Sequence, residues 1–169
     1  RDRAGPGTGD CIEAAKHLGY GPKLTHSLCS EAQNGKAECL LASRTVGFGP
    51  LKARSICKNA AIDTDHCLTT AKEHDYTLTQ IEQLCELGNA SGGMCIKAAR
   101  SHGFNLVQTA TLCRHSTGSS AACIGTARAH GFSHAQISIL CVKSPPDIEK
   151  CIVEARKKEQ KKPEGQVPQ

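Results

Sequence analysis

The sequence predicts an all-α protein: an α-solenoid of paired antiparallel helices, built on a 28-residue repeat and stapled by disulfides. Three observations lead there. All eleven cysteines fall on two columns, with spacings that alternate between 18 and 10 residues from Cys11 to Cys151. Within each period a cysteine and a small residue four positions later share one helical face. Between the two halves of each period stands a glycine or aspartate followed at once by an aromatic residue. Repetition at a fixed period marks an array in which each unit buries its apolar face against its neighbours. The period is shorter than that of the tetratricopeptide and ankyrin arrays, and it suggests no named family.

Composition sets the bounds. The chain of 169 residues has room for one ordinary domain or a short array. With 38% hydrophobic residues, 3% aromatics and no tryptophan, it can bury little area per residue, so cross-links are expected to supply part of the stability. Cysteines kept in strict columns point to an oxidising compartment, secreted or periplasmic. No signal peptide heads the sequence, which is read as a mature product from which one has been removed. No apolar run approaches the length of a membrane span. The net charge of +5 admits an anionic partner without demanding nucleic acid. A lack of aromatic stacking platforms argues specifically against single-stranded nucleic acid.

Taken in order, residues 1–10, with Gly5, Pro6, Gly7 and Gly9, are expected as a flexible lead-in. Residues 11–158 form one solenoid domain of five helix-pair repeats plus a C-terminal capping helix, and 159–169 a charged, disordered tail. The first helix of each unit carries the small residue, at Ala15, Ser43, Ala71, Ala99, Ala127 and Ala155. It should begin near Gly35, Asp63, Ser91, Ser119 and Asp147, whose side chains, where present, would satisfy free amides of the first turn. It should close at Gly19, Gly47, Gly103 and Gly131 in the left-handed region, with Asp75 in that place in the third unit.

Next come Tyr20, Phe48, Tyr76, Phe104 and Phe132, every aromatic residue of the chain. Each precedes an N-cap position, at Gly21, Gly49, Thr77, Asn105 and Ser133, and is placed to pack on the fourth helical residue, such as Ile81 or Ile137, as a hydrophobic staple. Pro22 and Pro50 occupy the first helical position, where a missing N–H costs nothing. The second helix then carries Leu28, Ile56, Leu84, Leu112 and Leu140, each just before a cysteine.

A second-helix cysteine can reach back within its unit, as Cys29 to Cys11, or forward, as Cys29 to Cys39. On helical wheels both cysteine columns lie on the flank of an apolar arc. In a right-handed stack those flanks meet across the junction between units. That geometry favours the forward register: Cys29 with Cys39, Cys57 with Cys67, Cys85 with Cys95, Cys113 with Cys123 and Cys141 with Cys151, leaving Cys11 as a free thiol. It also gives Cys151 a partner. A left-handed stack, or arcs centred differently, would pair cysteines within units and leave Cys151 over. The competing chemistry is a set of thiolate ligands for Cu(I) or Zn(II). No C-x-x-C or C-x-x-x-C occurs in the chain, so no metal site and no cofactor is expected.

Five residues past the first-helix cysteine the chain is always basic: Lys16, Arg44, Lys72, Arg100, Arg128 and Arg156. Stacking would line these side chains into a ladder that suits an anionic polymer or an acidic protein surface. The plainer role is that of good helix formers whose stems shield an alanine-rich core near a helix end. His74, His102 and His130 form a shorter column, read as C-terminal helix caps rather than metal ligands. Gln80, Gln108 and Gln136 are read as surface filler or a weak polar strip. No catalytic constellation stands out, so an enzyme is not expected. The functional expectation is a secreted or periplasmic, non-catalytic repeat scaffold that binds a macromolecular partner. The alternatives are a thiolate metal-storage protein and a secreted effector or toxin without enzymatic activity.

Overall fold

A computed structural model describes residues 5–86, 89–142, 150, 152–154 and 156–157. The described residues are helical with no strands, and the helices come in pairs. The first helices are α1 (Thr8–His17), α3 (Lys36–Val46), α5 (Thr64–Glu73), α7 (Gly92–Ser101) and α9 (Ser120–Ala129). The second helices are α2 (Pro22–Cys29), α4 (Pro50–Ile56), α6 (Leu78–Cys85), α8 (Leu106–Cys113) and α10 (His134–Cys141). The described residues within 150–157 are helical as well, where a capping helix is expected. Residues 159–169, expected as a tail, lie outside the described residues.

The odd helices stack in one layer, α1 on α3, α3 on α5, α5 on α7 and α7 on α9, and each even helix packs on the odd helix of its own unit. Successive even helices touch only lightly. The small-residue column explains the asymmetry: Ala15, Ser43, Ala71, Ala99 and Ala127 are fully buried, and short side chains let helix axes approach closely. The result is the solenoid the 28-residue period predicts.

The turn between paired helices follows the expected chemistry. Gly19, Gly47, Gly103 and Gly131 have positive φ, and Asp75, at φ 69°, adopts the same conformation. A β-carbon there is costly, and aspartate is among the few other residues that tolerate it. Phe48, Tyr76, Phe104 and Phe132 are buried, as are Ile81 and Ile137 at the stapled positions. Tyr20, in the first unit, is half-buried.

Capping differs from the expectation in two ways. Gly35, Asp63, Ser91 and Ser119 make no side-chain cap. At the starts of α1, α5 and α9 the first helical residue turns back instead: Thr8, Thr64 and Ser120 accept the N–H of Gly5, Ala61 and Thr117 at 2.8, 3.0 and 2.9 Å. The glutamines are not filler. Thr77 with Gln80, Asn105 with Gln108 and Ser133 with Gln136 form reciprocal capping boxes at the starts of α6, α8 and α10. His74, His102 and His130 are the C-cap residues of α5, α7 and α9.

The lead-in is shorter than expected. α1 begins at Thr8, and Gly7 donates its N–H to the Ala32 carbonyl at 2.9 Å. A β-carbon on Gly7 would stand 2.1 Å from the Gln33 carbonyl oxygen, and one on Gly35 2.2 Å from that of Ala61. Two equivalent glycines thus let the starts of α1 and α3 seat directly on the loop of the next unit.

The forward disulfide register is wrong. The bridges join Cys11–Cys29, Cys39–Cys57, Cys67–Cys85, Cys95–Cys113 and Cys123–Cys141, each within one unit, with Cα atoms 5.5 to 5.8 Å apart. Cys11 is therefore bonded and not a free thiol, and Cys29 does not pair with Cys39. The burial pattern gives the reason. The residue after each first-helix cysteine is fully buried at Leu40, Leu68, Ile96, Ile124 and Ile152, yet half-exposed at Ile12, which has no described unit before it. That column faces the preceding unit and fills the seam. The cysteine, about 100° round the helix, faces its own second helix. Cys151, the remaining cysteine of the sequence, lies outside the described residues.

Candidate binding surface

The odd-helix layer carries the basic column along one edge, where each cation follows the small residue by one position. Lys16, Arg44 and Lys72 are exposed. Arg100 and Arg128 turn back: their Nη1 atoms donate to the carbonyls of Phe104 and Phe132 at 2.8 and 3.2 Å. Arg156 lies over the Phe132 ring, its Cζ 5.8 Å from the centroid. The column thus runs beside the aromatic column, and three of its six members also help to hold it. Both readings of these residues have a structural footing.

The aromatic column itself belongs to the seams. Tyr76 donates its hydroxyl to the Leu106 carbonyl of the next unit at 2.6 Å, and burial pushes its phenol above the usual range while the Arg100 charge pulls the other way. Phe104 packs on the ring of His134, centroids 4.4 Å apart. His134 Nε2 is 2.9 Å from the His102 carbonyl oxygen. A carbonyl only accepts, so Nε2 carries the proton. None of these rings forms an exposed strip.

Among the described residues no three His, Cys, Asp or Glu side chains converge on one point. The ten cysteine sulfurs among the described residues are joined as five disulfides. No helix among the described residues is long and apolar enough to cross a membrane.

One feature escaped the sequence reading. The lightly touching even helices leave grooves between them, and the groove between α2 and α4 gathers Lys36, Arg54 and Lys58. Burial lowers the pKa of the Lys36 ammonium below the usual lysine range. Its signal was present as a break in a column, since Thr8, Thr64, Gly92 and Ser120 hold the equivalent positions.

Together these features define a class, the disulfide-stapled α-solenoid with a basic edge. No protein-family model matches the chain, and no curated protein or solved structure is significantly similar to it.

Proposed function

We propose that this protein is a non-catalytic binding scaffold of an oxidising compartment, secreted or periplasmic, which holds an anionic macromolecular partner on the solenoid surface. The observation that carries the reading is the basic column, brought to one edge by the stacking of the odd helices. A guanidinium has five donors, so Arg100 and Arg128 each spend one on a carbonyl and keep their charge for a partner. Cations repeated at unit spacing match the repeating charge of an anionic polymer or the acidic face of a protein, and their attraction is screened by salt. Five disulfides support the compartment, because reducing cytosol rarely lets them persist. The same bridges weaken the metal-storage alternative, since a disulfide offers no thiolate.

The test is retention on immobilised heparin across a salt series. Arg44→Gln with Lys72→Gln removes two exposed cations that make no carbonyl bond. Elution should shift to lower salt and the slope of log affinity against log salt should flatten by about one per cation removed, with the melting temperature unchanged. Elution at the wild-type salt concentration would overturn the proposal.

A further inference from the structure

The groove between α2 and α4 has a volume of about 380 Å³ and is lined by Ser27, Lys36, Leu51, Arg54, Ser55 and Lys58, with Leu28 at its base. We infer that it is a binding site for a phosphate or sulfate group carried on a larger molecule. The inference rests on the scaffold reading and deepens it, by naming a pocket and the chemistry it takes.

The first argument is uncompensated charge. Three cations line the groove and no carboxylate does. Arg54 and Lys58 are exposed and well solvated, but Lys36 is only 8% exposed. Among the described residues neither a carboxylate nor a hydrogen-bond acceptor meets its ammonium. The Lys36 stem is buried while Nζ itself still reaches solvent in the groove, so the ammonium is partly desolvated with no protein partner, and an anion entering the groove would supply one. The Ser27 and Ser55 hydroxyls, one from each wall, add neutral donors of the kind that complete the shell of a tetrahedral oxyanion.

The second argument uses the repeat as its own control. Moving 28 residues along turns Lys36, Arg54 and Lys58 into Thr64, Glu82 and Glu86 in the next groove. The third groove has Gly92, Ala110 and Arg114 in these places, and the fourth Ser120, Ser138 and Val142. The fold therefore does not call for a cation at any of the three positions. At the Lys36 position it accommodates a hydroxyl that takes a loop N–H, as Thr8, Thr64 and Ser120 show, and Lys36 forgoes that bond. Two departures from the repeat, Lys36 and Arg54, converge on one groove, and Lys58 joins them at a position where the third groove also has a cation, Arg114.

Size points to the kind of ligand. The groove is several times larger than a bare oxyanion, and Leu51, 76% exposed, offers it an apolar wall. A phosphate or sulfate ester fits this better than the free ion. The ester's oxygens would meet the three cations, and its carrier would lie along Leu51.

Calorimetric titrations at low ionic strength with inorganic phosphate, inorganic sulfate, glucose 6-phosphate and a heparin-derived hexasaccharide test the site. Wild type should bind at least one of the two esters saturably, at one ester per chain or per anionic stretch, and more tightly than either inorganic ion. Lys36→Thr should weaken that binding at least tenfold, and Arg54→Glu with Lys58→Glu should abolish it. Both variants borrow residues the protein itself uses at Thr64, Glu82 and Glu86, so circular dichroism and the melting temperature should confirm that they fold. Preference for glucose 6-phosphate over the hexasaccharide would assign a phosphate source, and the reverse a sulfated glycan. No saturable binding by any probe, or Lys36→Thr binding like wild type, would overturn the groove. The Arg44→Gln/Lys72→Gln variant separates the two proposals: it should keep its glucose 6-phosphate affinity within twofold while losing heparin retention. If groove variants bind normally and this variant still elutes early, the scaffold stands without the groove.

Discussion

Phe104 offers the most direct test of how the units are held together. Its ring is 1% exposed and lies 4.4 Å from the His134 ring at an interplanar angle of 55°, so it joins the turn of the fourth unit to the start of α10 in the fifth. Phe104→Ala removes a fully buried ring and leaves a cavity, a change worth about 3 to 5 kcal/mol. The tilted ring pair adds about 0.5 to 1.5 kcal/mol in favourable cases. Loss of the ring also frees His134, whose Nε2 donates to the His102 carbonyl at 2.9 Å. Partial collapse of so short a unit recovers some of the cost, and the expected loss is about 4 kcal/mol. Urea titration followed by far-ultraviolet circular dichroism would read it as a lower midpoint at unchanged slope. Tyr20→Ala, at the half-buried end of the same column, is the internal control and should lose less than half as much. A loss for Phe104→Ala below about 1 kcal/mol, within the ordinary range of surface substitutions and mild core changes, would show that the aromatic column does not hold the seams.

Four further outcomes are expected. Peptide mapping without reduction should recover Cys95 linked to Cys113 and Cys123 linked to Cys141, and a peptide joining Cys113 to Cys123 would refute the arrangement within units. Replacing Cys95 and Cys113 together by alanine opens a bridge with a sequence separation of 18 and should cost about 3 kcal/mol in the chain-entropy account. Gln108→Ala breaks the reciprocal box with Asn105 and should cost about 1 kcal/mol, visible as a lower melting temperature; no change would mean the box is not formed in solution. Lys36 ties stability to pH: its folded pKa lies below the unfolded value of 10.5, so the unfolded chain binds more protons between the two and stability should rise with pH through that window. Lys36→Thr should therefore gain most over wild type at neutral pH, with a gap that narrows as pH approaches 10.5, whereas a constant gap would place the ammonium in solvent.

What the sequence by itself determined is whatever a spacing can encode. The 28-residue period, the paired helices, the glycine or Asp75 turn and the buried aromatic before each second helix all depend on residues within one unit of each other. Local sterics act on such neighbours whatever the rest of the chain does. The capping boxes are equally local, since Thr77 and Gln80 stand three apart, and the role of the glutamine is legible only together with the N-cap residue before it. The disulfide register was not local in this sense. It depends on how far each unit is rotated against the next, which the whole seam decides. The column of Leu40, Leu68, Ile96 and Ile124 occupies that seam and leaves the neighbouring cysteines to face inward. Lys36 belongs to the same category. Its letter breaks a column of Thr, Gly and Ser, but only the spread of α2 from α4 buries its stem and sets its charge beside Arg54 and Lys58. Periodicity places a residue on a face of its own helix, and only the packing of the units decides what that face meets.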